Sequence, residues 1–185
     1  APDELNGDLL LMESRTSVRR ITSHLLEQGR TLPGFIGDIS YAQSNRERYE
    51  GFCQALTDAG KKVDSSLCLT TPLGIDTYRE EIDTFLSSLS RMPDAFVCAS
   101  DYVACILMQL LEKRGLRVPE DVAVSGFDNN TEDLLAEHLT TVQVFNEELG
   151  ARLALQILYR IKYPNTPHEV TYLGTNVLYR DSTGD

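Results

Sequence analysis

Apolar residues along this chain follow two spacings: short unbroken runs, and longer stretches that step by three and four. The run at 9–12 predicts a strand, whereas 18–27 places Val18, Ile21, Leu25 and Leu26 at helical intervals before Gly29. Phe35 and Ile36 mark a second strand. The stretch 47–58, with Tyr49, Phe52, Cys53 and Leu56 on one face, predicts a helix ending near Gly60. A strand over 66–69 follows, then a helix over 76–89 carrying Ile82, Phe85 and Leu86. The order continues as a strand at 96–99, a helix at 102–113 and a strand at 122–124. Strands alternating with helices of this length predict an α/β fold with a parallel sheet flanked by helices. The last third changes rhythm. A long helix over 147–162 sets Leu149, Leu153, Ile157 and Ile161 inside, with Asn146 as its N-cap, and strand character resumes over 169–179.

Polar residues gather where these strands end. Residues 93–129 read as strand, helix, strand, which stations Ser100, Asp101 and Asp128 at one rim of the sheet. Open parallel sheets bind ligands just outside the carboxyl ends of their strands, so this rim predicts a binding cleft.

Composition narrows the class. A chain of 185 residues with 42% apolar content can bury a real core as one domain, or one domain and a piece of another. No run of eighteen apolar residues and no signal-peptide pattern appear, so no membrane contact is expected. Cys53, Cys68, Cys98 and Cys105 show no metal-ligand spacing and read as reduced thiols, which favours the cytoplasm. The net charge of −11 argues against DNA binding by this chain itself. No nucleotide, hydrolase or metalloprotease motif is present, and His24, His138 and His168 lie far apart. The expectation is no enzyme, no catalytic residue, no metal and no cofactor.

The wording of 93–129 resembles the effector-binding domain of the lac repressor/galactose repressor family of bacterial transcription regulators. Pro93, Asp94, Ala95 and Asp101 match its pattern, followed by Gly115, Leu116, Val118, Pro119, Asp121, Val122, Val124, Gly126, Phe127 and Asp128. The likeness runs from about Leu9 to Thr183. It implies a periplasmic-binding-protein-like fold of type I, mostly the C-terminal lobe (14–140 and the return strands of 166–185). Tail elements of the N-terminal lobe would be 1–13 and 141–165. Exposure of an apolar patch on the 9–12 strand and the 147–162 helix is then expected wherever nothing else covers them.

The resemblance also implies roles. Asp128 stands at an effector-contacting position, with capping of the turn through Asn129 and Asn130 as the alternative. Arg48 matches the family's effector-binding arginine, placed in the first turn of its helix, and Arg46 competes for that assignment. Ser100 replaces the family's usual asparagine. Asp101 reads first as the N-cap of the next helix. Glu13 and Asn146 are further candidates, and Pro72 or Leu73 occupies the place where relatives stack an aromatic ring. Cys105, Met108 and Gln109 fall where relatives pair as homodimers, on a face expected to be exposed. The implied partner is a small sugar-like effector, with operator DNA contacted only through a helix-turn-helix domain outside this chain. A solute-binding protein of a sugar transporter is the rival reading.

Overall fold

The computed structural model describes residues 7–74, 76–130 and 137–185. Its contacts divide them into two units, a larger one of 14–143 with 176–185 and a smaller one of 7–13 with 144–175.

The larger unit is built on four parallel strands: β2 (Pro33–Ile36), β3 (Cys68–Leu69), β4 (Ala95–Cys98) and β5 (Ala123–Ser125). Their spatial order is β3-β2-β4-β5, with Phe35 paired to Cys68 and Val97, and Phe96 paired to Val124. Every residue of β2, β4 and β5 is buried. Burial on both faces is why these strands read as unbroken apolar runs instead of alternating.

Alternation along β2 divides the core between the two faces. Phe35 packs against Tyr49 and Phe52 of α2 (Gln43–Asp58), with ring centroids 5.1 and 5.6 Å away. Ile36 points to the other side, into a cluster with Phe96, Val124 and the inward residues of α3 (Tyr78–Ser88) and α4 (Asp101–Lys113). Helix α1 (Arg15–Glu27) lies on α2 at Gly51, where a Cβ would meet the Arg15 carbonyl oxygen at 2.2 Å. The chain leaves β2 toward β3 on one side and returns to β4 on the other. The sheet's topological switch therefore lies between the carboxyl ends of β2 and β4, where such sheets form a crevice.

Strand β6 (Thr141–Gln143) extends this rim through bridges that pair Ser125 with Thr140 and Asp128 with Gln143. It is covered by antiparallel β8 (Asn176–Leu178).

In the smaller unit β1 (Leu9–Met12) pairs in parallel with β7 (Val170–Leu173), so 166–175, assigned to the larger lobe by the sequence reading, groups here. Helix α5 (Asn146–Lys162) packs beside β1 but buries no residue completely. Its helical spacing sets the apolar row inward, yet Leu153, Ile157 and Ile161 are 49%, 53% and 73% exposed, the exposure expected of this helix where nothing else covers it. Of that row only Leu149 is partly buried, and the other partly buried residues, Gln156 and Arg160, are polar. Gln156 and the Arg160 guanidinium both donate to the Asp8 carboxylate, which also accepts from the Glu169 amide. Those bonds hold the Asp8 carboxyl well below the ordinary carboxylate range.

Candidate functional site

Helix α2 starts at Gln43, four residues earlier than its apolar pattern predicts, because extended Ala42 delivers a polar first turn that apolar spacing cannot register. Arg48 therefore stands in the second turn, not the first, and it faces inward while Arg46 is exposed. One guanidinium nitrogen, Nη1, donates to the Ala99 carbonyl at 2.5 Å, joining α2 to the end of β4. The other, Nη2, reaches Asp128 Oδ1 at 3.4 Å. The Phe127 ring lies under the guanidinium, 3.6 Å from centroid to Cζ. Among the described residues Nε has no hydrogen-bond partner. Burial lowers the Arg48 pKa, and the charges of Asp128, Asp101 and Glu47 oppose that shift. The Arg48 side chain is 10% exposed and the Asp128 side chain 42%, so a polar guest meets the carboxylate first, with the guanidinium behind it.

Asp128 follows β5 with φ of 112°, and Asn129 has φ of 52°, both in the left-handed region that L-residues seldom occupy. Neighbouring bonds impose this turn. The Asp128 amide donates to the Val142 carbonyl at 3.1 Å, and the Asn129 amide to Thr141 Oγ1 at 3.2 Å. Asn129 Nδ2 donates to Gln143 Oε1 at 2.6 Å, while Asn129 Oδ1 accepts from Arg180 at 2.8 Å. Burial raises the Asp128 pKa against the pull of Arg48. Among the described residues the Asp128 carboxylate caps neither amide that follows it. Asp101 takes the Asn130 amide at 2.7 Å instead.

The cap of α4 falls one residue earlier than the sequence predicts. Ser100, not Asp101, is the N-cap of α4: extended at φ of −152°, it accepts from the Val103 amide on Oγ at 3.3 Å. Asp101 is the first helical residue, which frees its buried carboxylate for Asn130 and Thr141. A similar correction applies to Asn146. It is the first residue of α5, behind an N-cap at Phe145 that makes no side-chain cap bond, and its side chain is exposed. Glu13 lies in the smaller unit with Asn146. Its amide donates to the Leu173 carbonyl at 2.8 Å.

Asp38 was not anticipated. It sits two residues beyond β2 and is 6% exposed. Its Oδ1 accepts from the Ser40 amide and hydroxyl and from the Tyr41 amide, and its Oδ2 from the Leu73 amide at 3.3 Å. Burial would raise its pKa, but these bonds outweigh it and keep the carboxyl below its ordinary value. Asp38 thereby seats the Leu73 loop, with Leu73 buried and Pro72 exposed. The signal was available: an Asp-x-Ser step just past a strand builds such a turn.

Aromatic rings also stand at this rim, from segments other than the Leu73 loop. Tyr78 meets Tyr102 edge-on at 5.8 Å. The Tyr78 pKa is raised by burial first, and then by the nearby Asp38, Tyr41 and Tyr102. Tyr41 and Tyr102 are largely exposed.

The expected pairing face on α4 needs correction in its exposure. Cys105 and Ile106 are buried in the core, Met108 is half-buried, and Gln109 accepts from Arg79. A hollow of about 650 Å3 opens at the opposite end of the sheet, lined by Thr31, Lys61, Lys62, Asp64 and Arg91, away from the polar rim. All four cysteines are free thiols. Among the described residues no group of three metal-ligating side chains converges, and no helix is long and apolar enough to cross a membrane.

Residues 22–183 match the family of periplasmic binding protein-like domains. The chain belongs to that family. A relative in Bacillus subtilis, the HTH-type transcriptional regulator DegA, is 32% identical over 146 residues, 78% of this chain and 42% of its own length. The regulator CelR of Thermobifida fusca is 32% identical over 170 residues, covering 89% of this chain and 48% of its own length. Among solved structures, a CelR–cellobiose complex superposes with a TM-score of 0.85 at 28% identity, over 95% of this chain and 54% of that one. A LacI-type regulator from Bifidobacterium animalis subsp. lactis gives 0.82 at 25% identity, over 95% and 67%. The chain is thus a ligand-binding domain of the LacI-family kind, and it spans about half the length of the curated relatives it matches.

Proposed function

We propose that this domain senses a small hydroxyl-rich molecule, a sugar or sugar derivative, and in the whole protein turns its binding into a change in operator DNA affinity. The observation that carries the reading is the Arg48–Asp128 pair over Phe127, at the switch point of the sheet. A carboxylate accepts hydroxyl hydrogens, a guanidinium donates to hydroxyl oxygens, and vicinal hydroxyls meet both at once. Tyr41 and Tyr102 add ring faces of the sort that pack on sugar C–H bonds. The relative solved with cellobiose supports a saccharide as ligand class.

In this reading Ser100 and Leu73 belong to the binding rim of the larger unit, and Glu13 and Asn146 are the candidate ligand contacts carried by the smaller unit. Ligand that binds one arrangement of the units better than another shifts their equilibrium, and a DNA-reading domain elsewhere in the whole protein reports the shift. Such a regulator works in the cytoplasm, as a homodimer paired in part through Met108 and Gln109. The relatives described are regulators, so the transporter reading is not favoured.

Calorimetric titration of this chain and of the whole protein with cellobiose and a panel of monosaccharides tests the proposal. Saturable heat with at least one member, lost in Asp128→Ala, is expected. Absence of heat across the panel in the whole protein rejects the sugar reading.

A further inference from the structure

Asp101 is 2% exposed, and both oxygens of its carboxylate are engaged within the fold. Oδ2 accepts the Asn130 amide at 2.7 Å and Oδ1 accepts the Thr141 hydroxyl at 2.5 Å. Thr141 Oγ1 in turn accepts the Asn129 amide, so one carboxylate fixes both amides that follow Asp128, one directly and one through a hydroxyl. Its own backbone amide donates to the Phe127 carbonyl at 2.8 Å, tying α4 to the residue under Arg48. The fit is close. A Cβ on Gly126 would lie 2.2 Å from Asp101 Oδ1.

We propose that Asp101 is a positioning residue: its carboxylate holds Asp128 and Asn129 in the left-handed backbone form suited to ligand, and uptake of a proton slackens that hold. This deepens the reading given above and rests on it for the ligand role of Asp128.

The chemistry of the two oxygens decides what protonation does. A carboxylate accepts on both oxygens, whereas the acid makes one of them a donor. The Asn130 amide can only donate, so the added hydrogen must lie on the Thr141 side. Thr141 then turns its own hydrogen away, and the Asn130 bond loses its charge assistance. The surrounding charged and titratable groups are Asp128 beyond β5, Arg180 just after β8, Arg48 on α2 and the Cys98 thiol at the end of β4. Burial dominates. It carries the Asp101 carboxyl up to about 6, against the bonds from Thr141 and Asn130.

Nuclear magnetic resonance on the isotope-labelled chain between pH 4.5 and 8 decides the structural half without any ligand. The Asp101 carboxyl carbon and the Asn130 amide should share an inflection near pH 6, absent at Asn130 in Asp101→Asn and retained in Thr141→Ser. A flat Asn130 amide in the wild type, or an inflection that survives Asp101→Asn, overturns the proposal. Cellobiose calorimetry reads the functional half. Affinity should be about tenfold weaker at pH 5 than at pH 7.5, as linkage to one group of that pKa gives, and the ratio should shrink in Asp101→Asn. Equal wild-type affinities at the two pH values also overturn it. No cellobiose heat at either pH, with the Asn130 inflection present, counts against the sugar reading and supports the hold on the turn.

Discussion

Arg48 rests its guanidinium 3.6 Å above the Phe127 ring while its outer nitrogen reaches Asp128 at 3.4 Å, so one cation serves an aromatic face and a carboxylate on consecutive residues. The ring takes the place of water on one side of the charge, which leaves the half-exposed Asp128 carboxylate as the polar edge open to a guest.

Replacement of Arg48 by Gln should weaken saccharide binding by about 2 kcal/mol or more, roughly thirtyfold, since a buried charged partner is removed and Asp128 is left uncompensated. Arg46→Gln, on the exposed side of the same helix, should change affinity by less than about twofold. Parallel calorimetric titrations of the two variants check the contrast, and equal losses would contradict the assignment of Arg48.

Two glycines give opposite signs for one substitution. Gly126→Ala drives a methyl group into Asp101 and Leu139, at 2.2 and 3.0 Å, and should destabilise the fold by about 1–3 kcal/mol. Gly150→Ala adds a methyl group to the interior of α5 where nothing lies within 4 Å, and should stabilise that helix by about 0.5–1 kcal/mol. Urea unfolding of both variants, with helicity followed by circular dichroism, measures the pair.

Asp101 also sets a pH dependence of stability. Its folded pKa of about 6 lies above the ordinary 3.8 of an aspartate, so below about 4 both states carry the proton. Between about 4 and 6 the unfolded chain has lost it while the folded one retains it. Stability from this group therefore falls as pH rises through that window, and the deficit is complete above about 6. Thermal unfolding of wild type and Asp101→Asn should show the variant gaining on the wild type at pH 7.5 relative to pH 4.5. A difference independent of pH would contradict the elevated pKa.

Ile161 is 73% exposed on α5, and Ile161→Glu should leave unfolding free energy within about 0.5 kcal/mol of wild type. A loss above about 2 kcal/mol by denaturant titration would mean that the residue is covered.

Much of the fold was legible in apolar spacing because β2, β4 and β5 are buried on both faces and their runs are unmistakable. Helix starts were not. The first turn of α2 is polar, and at α4 a Ser–Asp pair offers two plausible caps whose choice depends on Thr141, forty residues away. Arg48 and Asp128 could be nominated from motif and strand-end position. Their meeting could not, since 80 residues separate them and only the sheet order brings them together. The row on α5 shows the reverse limit. Periodicity tells which residues share a helix face, but not whether that face is inward, and here Gln156 and Arg160 turn toward Asp8 instead.

The backward-bending pair Asp128 and Asn129 places the domain's evolutionary freedom under tension. Glycine is the residue their backbone would choose, because only glycine enters that conformation without a steric toll of roughly 1 kcal/mol. At Asn129 that choice would sever the amide links to Gln143 and Arg180. A hardier scaffold and a sharper grip are therefore rival outcomes at a single codon.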